Sequence, residues 1–303
     1  MRFSVWPSPL AGFAATLEVV RHCEDAGWDG AYVMDHFMLD RPQDEPEDSP
    51  VLEAFTTLAA LAASTERVRL GTLVLGNTYR HPAVVAKSAV TLDHISGGRF
   101  VLGLGAGWQV NEHRVYGIDL FDTRTRLDRY EEACAVIRSL ATVDRTTFAG
   151  EHYQLADAPC RPTPPTGRLP ILIGAKGEQR GLRIAARFAD EWNSWATVEE
   201  LVHRSEVLAR HCDELGRDPA EIKRSTQALV TIVDDAAEAQ RLRSRPSERP
   251  QLIGSPAEVT DQLGAYLDAG LDELIVPDWF WGDVAQRNDA LDRFWSDVAP
   301  AFR

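Results

Sequence analysis

The chain has 303 residues, enough for two ordinary domains or one large α/β barrel, with 44% hydrophobic and 26% charged residues. Its net charge of −14 and pI near 5.0 argue against non-specific binding to nucleic acid or to an anionic membrane, because both need a cationic face. No apolar run is long enough for a membrane helix, the start MRFSVWPSPL lacks the apolar core of a signal peptide, and Cys23, Cys134, Cys160 and Cys212 form no CxxC, so a cytoplasmic protein without disulfide framework or zinc ribbon is expected.

Strand-like and helix-like stretches alternate along the whole chain. Arg2–Trp6 is a short apolar strand; Phe13, Leu17, Val20 and Ala26 then follow a helical period that Gly27 ends. Ala31–Met34 reads as a strand, Glu53–Ser64 as an alanine-rich helix and Val68–Leu75 as a third strand. Pro82 opens a helix to about Ile95, and Phe100–Leu104 is the fourth strand. A long helix follows Asp122, and Thr147–Leu155 forms a hairpin around Gly150. In the second half, Pro170–Ile173, Glu191–Asn193, Ser225–Val233 and Leu274–Val276 are the strands. A helix over Glu178–Phe188 and capping boxes at Thr197–Glu200, Asp218–Glu221 and Ser255–Glu258 separate them.

Eight such units imply a parallel sheet and fit a single (β/α)8 TIM barrel over residues 1–303, a doubly wound open sheet being the alternative. Insertions are expected near 40–50, 108–121, 145–168 and 234–252, with Asp40–Pro50 and Arg241–Pro250 as loops.

In such a barrel the chemistry lies just after each strand. His36, beside Asp35, can pass a proton or simply bond Asp35. Gly103-Leu-Gly-Ala-Gly107 departs from GxGxxG because Trp108 replaces the third glycine, and no helix is expected directly after it, so a Rossmann nicotinamide site is not indicated. It either lets a flat ligand approach the backbone or is a tight barrel turn. Ile173-Gly-Ala-Lys-Gly177 leads from strand to helix, where unpaired N–H groups and Lys176, Arg180 and Arg183 favour an anion such as a phosphate. Trp6, Trp108, Trp279 and Trp281 fall at strand ends and suit a flat cofactor and an apolar substrate. No HExxH or GxSxG occurs, so no metal site and no acyl-transfer serine are expected.

Several stretches together resemble the bacterial luciferase-like superfamily, specifically its deazaflavin (coenzyme F420)-dependent oxidoreductases. They are Gly27-Trp-Asp-Gly-Ala-Tyr-Val-Met-Asp-His36, Arg69-Leu-Gly-Thr-Leu-Val74, Arg80-His-Pro82, Leu92-Asp-His-Ile-Ser-Gly-Gly-Arg99, Gly103-Leu-Gly-Ala-Gly-Trp108, Asn111-Glu112, Tyr116-Gly117 and Pro170-Ile-Leu-Ile-Gly-Ala175 with Ala189-Asp190. They run in the family's order over about residues 1–195; the last third matches only in general pattern.

The resemblance implies a homodimeric (β/α)8 barrel with F420 across its mouth, FMN being the alternative cofactor. It implies a non-proline cis peptide at Leu73-Val74 and His36 as the acid/base group. The implied cofactor-binding set is Asp35, Leu73, Val74, Gly107, Trp108, Asn111, Gly174, Ala175, Lys176 and Asn193, with Trp6, Trp108, Trp279 and Trp281 in the substrate pocket. F420-dependent glucose-6-phosphate dehydrogenases of that family carry a tryptophan four residues after the histidine and a glutamate directly after the Gly-x-Gly turn. This chain has Asp40 and Trp108 there, which points to a small apolar or aromatic substrate. The expected reaction is hydride transfer between deazaflavin C5 and a C=C, C=O, C=N or alcohol carbon. The alternatives are an FMN-dependent monooxygenase, a cofactor-free lyase or isomerase acting on a phosphorylated substrate, and a non-catalytic flavin-binding homologue.

Overall fold

A computed structural model describes residues 1–41 and 47–303; the expected loop at Asp40–Pro50 lies partly outside the described residues. The elements run β1 (Arg2–Trp6), α1 (Gly12–Ala26), β2 (Gly30–Val33), α2 (Ala54–Ser64), β3 (Arg69–Thr72), β4 (Leu75–Gly76), α3 (Pro82–Ser96), β5 (Phe100–Gly105), α4 (Val110–Tyr116) and α5 (Thr123–Thr142). Then come β6 (Thr146–Ala149), β7 (Gln154–Ala158), β8 (Ile171–Gly174), α6 (Gly181–Phe188), β9 (Glu191–Asn193), α7 (Val198–Leu215), β10 (Lys223–Gln227) and β11 (Leu229–Ile232). The chain ends through α8 (Ala236–Arg243), β12 (Gln251–Gly254), α9 (Pro256–Asp268), β13 (Glu273–Pro277) and α10 (Val284–Asp297).

β1, β2, β3, β5, β8, β9, β10 and β13 pair in parallel, and the β3–β5 pairing completes a closed eight-stranded barrel. The open-sheet alternative is thereby set aside. Close approach of β3 and β5 requires Gly103, since a Cβ there would stand 1.9 Å from the Thr72 carbonyl oxygen. Helix ends follow their local chemistry. Gly27 takes a left-handed conformation (φ 95°), and its N–H donates to the Cys23 and Glu24 carbonyls. Asp122 caps α5 by accepting the Arg124 and Thr125 N–H groups. The capping boxes at Thr197–Glu200 and Ser255–Glu258 are formed, and Asp283–Gln286 adds another. Asp218–Glu221 instead makes a single 3-10 turn, with Asp218 capping Ala220 and no reciprocal bond.

Further local expectations are corrected, among them the loop read over Arg241–Pro250, whose first three residues end α8. The strand read over Val68–Leu75 breaks after Thr72, where the Leu73-Val74 peptide is cis as the family resemblance implies. The strand read over Ser225–Val233 divides at Ala228, and β11 leaves the barrel to pair with β12. A helix, α4, does follow the Gly103–Gly107 turn. It escaped the apolar-period rule because the residues it buries, Asn111, Glu112 and His113, are polar. α6 starts at Gly181 instead of Glu178; the Leu182 N–H bonds the Gly177 carbonyl five residues back, so 178–180 form a turn and not α-helix.

Where the strands begin, the barrel is closed by charge. Fully buried Glu273 on β13 meets Arg2 of β1 at 3.0 Å and Arg69 of β3 at 3.3 Å and accepts the Ser4 hydroxyl at 2.5 Å. Glu191 of β9 pairs with the same two arginines. Above this base the interior is filled by Tyr32, Val101, Leu172 and Ile275, with Leu73 and Trp6 on top. The barrel therefore opens only at the carboxyl ends of its strands.

Candidate active site

A cavity of about 790 Å³ lies at that end. Its wall has two chemically different halves. The ends of β3, β5 and β8 supply the cis Leu73-Val74 segment with Gly76, Gly105, Gly107, Gly174 and Gly177; the Val74 side chain fills the space beside Gly105 and Gly174, and the Tyr79 ring that beside Gly76. Gly107 has φ 85°, a conformation that favours glycine. The ends of β9, β10, β13 and β1 supply Trp195, Gln227, Trp279 and Trp6. The three indoles pack on one another, with Trp6–Trp279 at 4.6 Å, Trp6–Trp195 at 6.0 Å and Trp195–Trp279 at 6.2 Å between centroids. Arg249 lines the cavity with its guanidinium over Trp279 at 4.9 Å and Trp195 at 5.5 Å.

His36 follows β2 and lies in the cavity wall, its ring edge-on to Trp108 at 5.6 Å. It does not bond Asp35. Its Nδ1 faces Glu112 Oε1 at 2.7 Å, from α4. Glu112 is fully buried; its Oε2 accepts the Phe37 N–H at 2.7 Å, and Oε1 also accepts the Tyr79 hydroxyl. Burial alone would raise the Glu112 carboxyl, but bonds from His36, Phe37 and Tyr79 outweigh it and hold the group below the usual carboxylate range. Burial and the carboxylate beside it push the Tyr79 phenol well up. A carboxylate can only accept, so Nδ1 carries a hydrogen and Nε2 is left for proton exchange.

Asp35 is occupied elsewhere. Arg80 bonds it through two nitrogens at 2.7 and 2.8 Å, and the Gly76 N–H adds a third bond at 3.0 Å. Arg80 also reaches Glu53, the cap of α2, so one cation ties β2, the segment after β3 and α2 together.

The turn after β8 departs in detail from the anion reading. Gly174, Ala175, Lys176, Gly177, Arg180 and Gly181 all line the cavity. The Ala175 N–H, however, donates to the Asn193 carbonyl, and Arg180 is bonded to Asp128 at 2.6 Å. The Leu182 and Ile184 N–H groups of α6 donate to the Gly177 and Arg180 carbonyls, which leaves the Lys176 side chain as the anion-binding candidate of this turn.

Of the residues named from the sequence, Trp6, Asp35, His36, Leu73, Val74, Gly107, Trp108, Gly174, Ala175, Lys176, Asn193 and Trp279 line the cavity. Two do not. Trp281 turns away because its Nε1 donates to the Val230 carbonyl at 3.1 Å, and it packs on the outer core. Asn111 is buried behind the wall and donates to the Leu39 carbonyl at 3.0 Å. Sequence reasoning assigned no role to Glu112, Tyr79, Trp195 and Arg249. Trp195 sits two residues past β9, within reach of the strand-end rule; Arg249 comes from an insertion and carries no such signal.

A family model described as luciferase-like monooxygenase matches residues 1–250. An F420-dependent glucose-6-phosphate dehydrogenase from Kineococcus radiotolerans is 30% identical over 335 residues, covering 98% of this chain and 94% of that protein. The coenzyme F420-dependent tetrahydromethanopterin reductase from Methanopyrus kandleri shares the fold with a TM-score of 0.83 at 19% identity, covering 100% of this chain and 99% of that one. So does an F420-dependent secondary alcohol dehydrogenase solved with an F420-acetone adduct, with a TM-score of 0.82 at 21% identity and the same coverage.

Proposed function

The chain belongs to the luciferase-like monooxygenase family, and on that premise we propose that it is an F420-dependent oxidoreductase acting on a small apolar or aromatic substrate. F420, when bound, supplies a carbon centre that gives or accepts hydride. The two-sided cavity fits that group: Val74 and the glycines around it give a flat ring an apolar wall, and Lys176 in the turn before α6 suits its phosphate. Trp6, Trp195 and Trp279 then orient the substrate by apolar and ring contact and exclude water. His36 moves the proton that accompanies hydride transfer, at Nε2, while Glu112 holds the ring in that tautomer.

The observation that carries the reading is this Glu112–His36 pair set in a cavity with the Val74 and glycine segment on one side and the indoles on the other. Trp108 and Asp40, which replace residues the family's glucose-6-phosphate dehydrogenases carry, favour an apolar substrate over a sugar phosphate. We also propose a homodimer, as the family resemblance implies; Val110, Val115, Tyr116 and Phe121, on and after α4, are exposed apolar residues that a partner would cover. Light scattering checks it, and a mass near 33.6 kDa would overturn it.

Parallel titrations of the protein with F420 and FMN, followed by tryptophan quenching, test the cofactor. F420 should bind at least about tenfold more tightly. Preference for FMN, or binding of neither, would overturn the assignment. Reduced F420 should then be consumed with enones, ketones, imines or their alcohol counterparts in reverse, and turnover confined to glucose 6-phosphate would overturn the substrate class.

A further inference from the structure

Asp278 follows β13 directly, next to Pro277, which pairs in register with Trp6 of β1. It is fully buried and lies behind the cavity wall. Its Oδ1 accepts the Ser8 N–H at 2.6 Å, and its own N–H donates to the Trp6 carbonyl at 3.2 Å. The two bonds run in opposite directions across the same pair of strand ends. One residue thus ties the chain leaving β1 just after Trp6 to the chain leaving β13 just before Trp279. Those two indoles meet edge to face at 4.6 Å.

The carboxyl is held at a cost. Its Oδ2 has no hydrogen-bond partner among the described residues. Burial pushes the group up to about 6, against the pull of Arg287 and of the Ser8 N–H. A buried carboxyl with an unbonded oxygen calls for an explanation, and loop closure alone is a weak one.

We propose that Asp278 is a positioning residue for substrate recognition: it clasps the ends of β1 and β13 and so holds Trp6 and Trp279 as one rigid wall of the substrate half. This rests on the reading that the tryptophan-lined half receives substrate. The clasp needs an acceptor at Oδ1 and not a charge, so asparagine should replace aspartate, whereas alanine should free the two strand ends.

The test uses F420-loaded protein titrated calorimetrically with 2-naphthol, a neutral flat aromatic probe. Asp278→Ala should weaken 2-naphthol binding about tenfold or more and reduce the near-UV circular dichroism of the coupled indoles. F420 affinity should stay within about twofold, and Asp278→Asn should keep both properties. Should the alanine variant fail to fold, Ser8→Pro removes the N–H at the other end of the clasp and should give the same loss. Unchanged 2-naphthol affinity in a folded Asp278→Ala or Ser8→Pro protein overturns the clasp. So does a loss in Asp278→Asn as large as in Asp278→Ala, or an equal loss of F420 and 2-naphthol. Wild-type protein that ignores 2-naphthol, or binds it equally well after Trp6→Ala and Trp279→Ala, instead overturns the substrate-half reading, and the clasp falls with it.

Discussion

Glu112→Gln separates holding a histidine from being one. Glu112 accepts from His36 Nδ1, the Phe37 N–H and the Tyr79 hydroxyl. Glutamine offers one oxygen and one NH2 in the same place. If the oxygen meets the Phe37 N–H, the NH2 faces His36 Nδ1 and moves the ring hydrogen to Nε2, where a base is wanted. If the oxygen meets His36 and Tyr79, the NH2 opposes the Phe37 N–H and pushes the segment carrying His36 out of place. Either way proton transfer at Nε2 suffers, and general acid–base assistance amounts to roughly 10²–10⁴ in rate. The variant should therefore lose about 10²-fold or more in kcat, read from F420 absorbance in single-turnover mixing. F420 affinity should hardly change, because Glu112 is not part of the cavity wall. One charge-assisted bond lost in a fully buried group should also cost about 2 kcal/mol, or several degrees in Tm. The Glu112 carboxyl lies below its ordinary value in the folded protein. Its stabilisation is therefore present above the unfolded carboxylate range and lost as pH falls through the depressed value, and the variant should lack that acid-side loss. A folded Glu112→Gln protein turning over at the wild-type rate would refute the argument at its centre: His36 would either not need Glu112 or not move the proton.

Four further outcomes are expected. His36→Ala should lower turnover about 10²-fold or more while F420 still binds; wild-type turnover would remove His36 from the mechanism. Gly174→Leu should weaken F420 binding, since even a Cβ there stands 3.0 Å from a Val74 methyl group, and unchanged affinity in fluorescence titration would move the phosphate elsewhere. Arg249→Ala should raise KM for a carboxylate-bearing aromatic substrate about tenfold over its neutral analogue; equal KM changes would show that the guanidinium only packs on Trp279. Asp278 is raised to about 6 from 3.8, so its stabilisation is present below pH 3.8 and is lost as pH rises through about 6. Asp278→Asn should then flatten that slope by up to about 3 kcal/mol in urea unfolding across this window, and an identical slope would contradict the burial argument.

The sequence made the architecture legible because strands buried on both sides and helices with one apolar face leave distinct periods. β1 and β9 fall on the expected residues, and most chemistry-bearing residues lie where the strands end. What stayed hidden has physical causes. α4 buries polar residues, so its inward face imitates a solvated one and the role of Glu112 passed unseen. Trp279 and Trp281 lie in a turn, where neither period says which side chain points inward. That choice was made by the Val230 carbonyl on β11, a strand whose departure from the barrel leaves no mark in composition. Asp35 beside His36 suggested a pair by proximity; Arg80, forty-five positions on in the chain, claims the carboxylate instead.

The ion cluster at the closed end behaves like the hoop of a cask. Its four charged groups sit on four different staves, β1, β3, β9 and β13, and each acid is shared by both arginines. Loss of either arginine leaves the buried Glu273 and the nearly buried Glu191 one cation short, a cost that the barrel base must absorb. At the open rim Trp6 packs on the barrel interior and Gln227 donates to Asn193, but Trp195 and Trp279 carry no such ion pairs. Libraries that vary Trp195 and Trp279 explore new substrates with the cask still tight, whereas a neutralised charge at the hoop loosens the four staves it joins.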